Sequence, residues 1–293
     1  MSSPIKDVMA FLHRALANIS PERNSEFETT YAHFTLEYLD TPKWVCCVDP
    51  KTRRHISLSR RVVEVMWCAS YAYMVLYMKE IQGKEITSPK EIDLHKDLEI
   101  DQGMKVLKWA YENWINGEDK PWPADLPQPV SAPETGSFLQ VANELCLCSM
   151  AFILHHELAH IRLGHDPSAR DLDDERQADY SAAEWIMQSS LREDDPMFIK
   201  RALGIAIALE VLTSWGIYTK NFGGNTHPPS YDRMIHTLRR FAHDNNHVVW
   251  AVVVAALKLH LDNAKLQTPD VRYDSFLECA EDFANVLANE KTK

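Results

Sequence analysis

Apolar positions at helical spacing open the chain. Val8, Phe11, Leu12, Ala15, Leu16 and Ile19 predict one amphipathic helix over residues 1–20, closed by Pro21. Over residues 27–38 the period changes. Tyr31, His33, Thr35 and Glu37 alternate with Ala32, Phe34, Leu36 and Tyr38, which is a strand pattern. Trp44–Val48 and His55–Leu58 are two further short strands, with the turn formers Asp49-Pro50-Lys51-Thr52 between them. The expectation is a small antiparallel sheet near the N-terminus.

Helical patterns dominate the rest. Residues 59–80 read as a long buried helix, and 99–116 as another, with Met104, Leu107, Trp109, Ala110 and Trp114 facing the core. Pro121, Pro123, Pro127, Pro129 and Pro133 then bar any helix. Trp122 and Leu126 favour an ordered surface loop there over a domain linker. Residues 137–164 form the central helix, apolar on every side around Met150–Leu154, with Gly164 as a natural stop. Residues 166–170 read as loop. Helices follow from Asp171–Asp174 to Ser190 and from Pro196 to Tyr218. After a Gly/Asn loop over 221–226, another starts at Pro228-Pro229. Two more, over 246–265 and 273–289, finish the chain.

This order predicts an α+β fold, mostly α: a helical core with the small sheet at its N-terminal side. A single domain is expected over 1–293. Residues 1–60 supply the first helix and sheet, 99–265 the main helical core, and 266–293 the last helix.

Composition narrows the function. A net charge of −11 disfavours a general nucleic-acid-binding role. The six cysteines include no C-x-x-C pair, and four of them, Cys46-Cys47 and Cys146-x-Cys148, sit in apolar runs, as reduced thiols of a cytosolic protein do. No basic and apolar leader opens the chain, so a cytoplasmic protein is expected. Val62–Met78 and Val248–Leu257 are the apolar stretches to test for membrane contact. Both read as core helices, with a peripheral position at the inner membrane as the alternative for the first.

The chemistry is concentrated in His156-Glu157-Leu158-Ala159-His160. In H-E-x-x-H on a helix, the two histidines share one face and can grip one metal ion, with Glu157 beside them as general base. A catalytic zinc needs a third ligand and an open position. The long H-E-x-x-H-x-x-G-x-x-H pattern fails on register, because Gly164 is one residue late and His165 one residue early. His165 and Asp166 remain possible ligands. Glu175, on the next helix, is preferred and completes a His₂Glu set. Asp179 shares its face and is placed to orient a ligand histidine. His155 is rotated about 100° from His156 and reads as a core histidine. Further on, His227 precedes two prolines at a helix start. It reads either as an oxyanion donor or as an exposed helix-start residue. Arg233 is spaced to pair with Asp179 or Glu175.

The succession H-E-x-x-H, E-x-x-x-D and T-H-P-P with a following Arg is similar to the gluzincin peptidases. It resembles more closely the Lit peptidases, bacterial phage-exclusion proteases. The resemblance rests on Val106–Trp114, Trp122–Pro129, Gly136–His165, Glu175–Met187, Arg201–Ala208 and Asn225–Met234, about half of the chain. It implies a zincin-like core, with 99–265 as its catalytic part, and an intracellular zinc endopeptidase with His156, His160 and Glu175 as ligands and Glu157 as base, and it adds weight to His227 and Arg233. It also implies antiviral defence by abortive infection: cleavage of elongation factor Tu when a phage-derived activator peptide is present. The rival class is a non-catalytic zinc-binding sensor, in which His165 or Asp166 would close the fourth position.

Overall fold

The computed structural model describes residues 3–31, 34–49, 55–82, 97–166, 171–187, 192–221 and 227–291. Where periodicity predicts one helix over 1–20, two short ones form, α1 (Lys6–Met9) and α2 (Leu12–Asn18). The apolar face is the expected one, with Val8, Leu12 and Leu16 buried.

The strand expected over 27–38 divides. Its first part belongs to a helix, α3 (Asn24–Tyr31), and strand β1 is only Thr35–Leu39. Phe27 and Tyr31 are four apart, a spacing that puts two residues on one face under either period. Both are buried from the helix. Ala32 and His33 of the alternating stretch lie outside the described residues.

Strands β2 (Cys46–Val48) and β3 (His55–Ser59) pair antiparallel, with Cys47 opposite Ser57. Their expected turn residues Pro50, Lys51 and Thr52 lie outside the described residues. The sheet as a whole is mixed, because β1 pairs parallel to β3 in the order β1-β3-β2. The reason is topological. The short 40–45 connection reverses the chain, so β1 and β2 run oppositely. Strand β3 then inserts between them, and its antiparallel pairing with β2 gives it the direction of β1. Strand β2 is left with an open edge.

Helix α4 (Arg60–Leu76) follows β3 directly and continues into a π turn over Tyr77–Ile81. Every side chain from Arg61 to Leu76 is buried, so the apolar stretch as far as Leu76 is spent on packing inside the protein, and only Met78 at its end is exposed. Helix α5 (Leu98–Ile115) is capped by Asp97, whose carboxylate accepts the N–H groups of Glu99 and Ile100. The proline-rich segment after it is an ordered loop. Trp122 anchors it, donating from Nε1 to the Pro127 carbonyl at 3.1 Å with its ring against Trp67 and Trp109.

Helices α6 (Phe138–Leu163) and α8 (Pro196–Thr219) cross at the centre of the core. A Cβ on Gly204 would lie 2.5 Å from Cβ of Cys148, so only glycine permits the approach. Both helices are long and apolar enough to span a bilayer, but most of each apolar window is buried in the protein. Around them pack α7 (Leu172–Met187), α9 (Ser230–Leu238), α10 (Val248–Asn263) and α11 (Phe276–Lys291). The fold is thus α+β and mostly α, as the patterning predicts. All six cysteines are free thiols.

Candidate active site

The last turns of α6 carry His155 to Leu163. Gly164 ends the helix in the left-handed region, φ 74°. That turn folds His165 back, and its N–H bonds the His160 carbonyl at 3.1 Å. Helix α7 then starts at an Asp171 cap, whose carboxylate accepts the N–H groups of Asp173 and Asp174 at 2.8 and 3.0 Å. Residues 167–170 of the connection lie outside the described residues. Contacts between the two helices run His160 to Glu175 and His156 to Asp179, the order of an antiparallel pair.

Three buried ligand atoms face one point. Nε2 of His156 and Nε2 of His160 are 3.1 Å apart. The Glu175 oxygens lie 3.4 Å from the first and 3.5 Å from the second. A tetrahedral zinc with bonds of ~2.0–2.1 Å holds its ligand atoms ~3.3 Å apart, so this triangle has the size of one face of such a site. These residues can hold a metal ion.

The proton arrangement agrees. Nδ1 of His156 is 2.9 Å from Asp179 Oδ1, so its proton belongs on that side and the Nε2 lone pair turns inward. His160 is arranged likewise through a second histidine. Its Nδ1 lies 2.8 Å from Nδ1 of His165, and Nε2 of His165 faces Asp174 at 3.5 Å. A proton on His165 Nε2 makes Nδ1 the acceptor, and His160 donates to it. His165 therefore contacts the outer nitrogen of His160 and does not complete the ligand triangle. Asp166 is exposed and stands outside the triangle as well.

Charge is balanced tightly without the metal. Burial pushes the His156 imidazolium down, but Asp179 and Glu175 outweigh it and lift its pKa to about 9. Burial pushes the Glu175 carboxyl up, but His156, Arg233 and His227 hold it at about 2. Burial acts on Asp179 the same way, and Arg233 and His156 keep it far below the ordinary range. Both carboxylates are thus ionised, as metal and imidazole partners require.

Arg233 reaches Asp179 with two hydrogen bonds, Nε to Oδ2 at 2.6 Å and Nη2 to Oδ1 at 2.7 Å. Nε2 of His227 is 3.5 Å from Glu175 Oε1, on a side chain more than half exposed. Asn225 and Thr226 of the T-H-P-P element lie outside the described residues. Glu157 is buried beside the ligands, and its Oε2 accepts the Val48 N–H at 3.2 Å. The register explains that bond. Val45 and Asp49 direct their main-chain groups to β3, so Val48 turns its N–H to the open edge of β2. His155 points away. It is fully buried, bonds the Leu16 carbonyl at 3.2 Å and stacks on Trp185, and burial drops its pKa to about 3.

A cavity of about 640 Å³ opens over this centre. His156, Glu157, Glu175, His227 and Arg233 line it, together with Trp44, Phe152, Leu212 and Trp215. Trp114 stacks on both Trp44 and Trp215, at 4.0 and 4.3 Å, and joins the two lining rings.

The peptidase U49 family model matches residues 56–253. The chain belongs to the peptidase U49 family. The matched span includes α4 to α9 and all seven residues of the centre, from His156 to Arg233. A cell death peptidase of Escherichia coli (strain K12) is 27% identical over 286 residues, covering 94% of this chain and 96% of that protein. No solved structure matches the chain.

In this U49 peptidase the structure gathers His156, Glu157, His160, Glu175, Asp179, His227 and Arg233 into one centre, and five of them line the cavity. Sequence reasoning missed two supports. Val48 reaches Glu157 through its backbone N–H, for which a side-chain pattern carries no signal. His165 orients His160 and is backed by Asp174. The signal for that was present in the left-handed Gly164 between them, which turns the chain back on its own helix end.

Proposed function

We propose that this U49 peptidase is a zinc-dependent endopeptidase. The observation that carries the proposal is the buried His156–His160–Glu175 triangle with Glu157 alongside. Two imidazoles and a carboxylate are a zinc donor set, and a site built only for structure has no use for a glutamate at that place. Bound there, zinc supplies Lewis-acid polarisation of water and of the substrate carbonyl.

The protein's own groups do the rest. Glu157 takes the proton of the attacking water and later delivers it to the leaving amine. The Val48 N–H fixes one oxygen of that carboxylate. Asp179 and His165 hold the two imidazoles in the tautomer that presents Nε2. Arg233 keeps Asp179 ionised. His227, at the wall of the cavity, is placed to donate to the oxyanion.

The biological reading rests on the resemblance to the Lit peptidases and on the name of the Escherichia coli relative. It is a cell-death role in phage defence, with elongation factor Tu as the substrate and a phage-derived peptide as the activator. Incubating wild-type and Glu157→Gln protein with bacterial lysate, with and without phage proteins, tests it by mass spectrometry of new N-termini. A new N-terminus in elongation factor Tu, produced by wild type only and only with phage proteins, is expected. Cleavage by both forms alike would remove the catalytic assignment.

A further inference from the structure

Behind the metal centre lies a second cavity of about 340 Å³. Arg233 and Pro228 line both cavities, so the two are separated by little more than that arginine. The second one is rich in cationic donors. Arg176 reaches it from α7, where its Nη1 also pairs with Asp173 at 2.9 Å; Arg240 reaches it from the turn after α9, and His236 from α9 itself. The Arg240 guanidinium sits over the Tyr180 ring, its Cζ 3.6 Å from the centroid, and no carboxylate among the described residues pairs with it. Two carboxylates share the lining. Asp179 is buried and committed to Arg233 through two bonds, and Asp232 is exposed on the first turn of α9.

Arg233 is itself more than nine-tenths buried. Its bonds to Asp179 use Nε and Nη2, so Nη1 is not spent on that carboxylate. Planar guanidinium donors converging on a walled cavity are the usual means of holding a carboxylate or phosphate group. In a chain of net charge −11, such a concentration of arginines needs a reason.

We propose that this cavity is an oxyanion-binding site, held by Arg176, Arg240 and Arg233, and that its occupancy is felt at His156. The route is a chain of direct contacts: oxyanion to Arg233, Arg233 to Asp179, Asp179 to Nδ1 of His156. An anion on Arg233 neutralises part of the guanidinium charge. Asp179 then acts more fully on the His156 Nδ1–H, and Nε2 becomes a stronger metal donor. By reciprocity the metal must tighten the anion by the same factor. This coupling, unlike the site itself, rests on the metal-centre reading given above.

The test is calorimetric titration of metal-free and zinc-loaded protein with inorganic sulfate, and separately with N-acetylglutamate amide. Sulfate stands for a free oxyanion, the second probe for an acidic side chain of a bound polypeptide. The tighter of the two names the source. Arg240→Gln and Arg176→Gln serve as controls, since both side chains are exposed. Saturable binding is expected, lost in both variants, absent with chloride at equal ionic strength, and about fivefold tighter in the zinc-loaded protein. No saturable binding by either probe, or unchanged binding in Arg240→Gln, overturns the site. Binding that Arg240→Gln abolishes but zinc leaves unaltered overturns the coupling. If the protein takes up no zinc, the metal-centre reading fails, and the titration of the metal-free protein still decides whether the cavity holds an oxyanion.

Discussion

Arg233 and Asp179 stand 54 residues apart in sequence and form a buried two-bond ion pair, at 2.6 and 2.7 Å, that ends on a metal-site histidine. The pair is positioned by the prolines before α9, which present Arg233 one turn into that helix toward the face of α7 carrying Glu175 and Asp179. Breaking it leaves a buried carboxylate without its cation and His156 without a fixed tautomer. In Asp179→Asn an amide donor can face Nδ1, which turns the lone pair outward. We expect metal affinity to fall by roughly 10–100-fold in Asp179→Asn and in Arg233→Met, measured by competition with a chromogenic chelator. Unchanged affinity in both would show that the pair serves packing alone.

Glu157, the proposed general base, is not among the three residues that can hold the metal ion. Glu157→Gln keeps the hydrogen bond from Val48, because the amide oxygen still accepts. Metal content should equal that of wild type while turnover of any cleaved substrate falls by roughly 10²–10⁴-fold. Elemental analysis and a turnover assay on the same preparation check both halves.

His165 behaves in the structure as the support of His160, through Nδ1 to Nδ1 at 2.8 Å. Replacing it with phenylalanine preserves the bulk and removes the acceptor. Metal binding should weaken by about tenfold or more, with a smaller loss in Asp174→Asn, where only the outer partner changes. If His165 were a ligand, the X-ray absorption spectrum of His165→Phe would lose one nitrogen scatterer. The geometry predicts no such loss.

How far the sequence carries can be judged at particular residues. His156, His160, Glu175 and Asp179 are legible because helical geometry converts spacing into shared faces, and two helices joined by a short connection have few ways to meet. Gly164, the Asp171 cap and Pro196 mark helix ends by local chemistry and are legible for the same reason. The mixed direction of the sheet is not legible. It depends on β3 inserting between β1 and β2, a long-range choice that alternation does not record. Phe27 and Tyr31 mislead because a spacing of four satisfies both periods. The Val48 contact to Glu157 is main chain and follows from register, and register in turn follows from the fold.

Glu210 offers a test outside the site. It is buried on α8, its carboxylate oxygens have no hydrogen-bond partner among the described residues, and burial raises its pKa well above the ordinary value. The sign follows from linkage. The unfolded chain loses this proton above pH ~4.3 while the native chain keeps it, so wild-type stability falls as pH rises through and beyond that value. Glu210→Met removes the penalty. The variant should match wild type near pH 4 and exceed it by on the order of 1–3 kcal/mol at pH 8, read from urea unfolding midpoints. An equal or lower midpoint at pH 8 would mean that the carboxyl has a role in the native core.

The central claim is that His156, His160 and Glu175 together hold one catalytic zinc ion. Zinc K-edge X-ray absorption on the purified protein, with metal content measured on the same sample, addresses it most directly. We expect one zinc per chain, two nitrogen scatterers at ~2.0–2.1 Å, oxygen completing the shell and no sulfur, with the zinc lost in Glu175→Ala. A shell containing cysteine sulfur, or full peptidase activity in protein carrying no metal, would contradict the account.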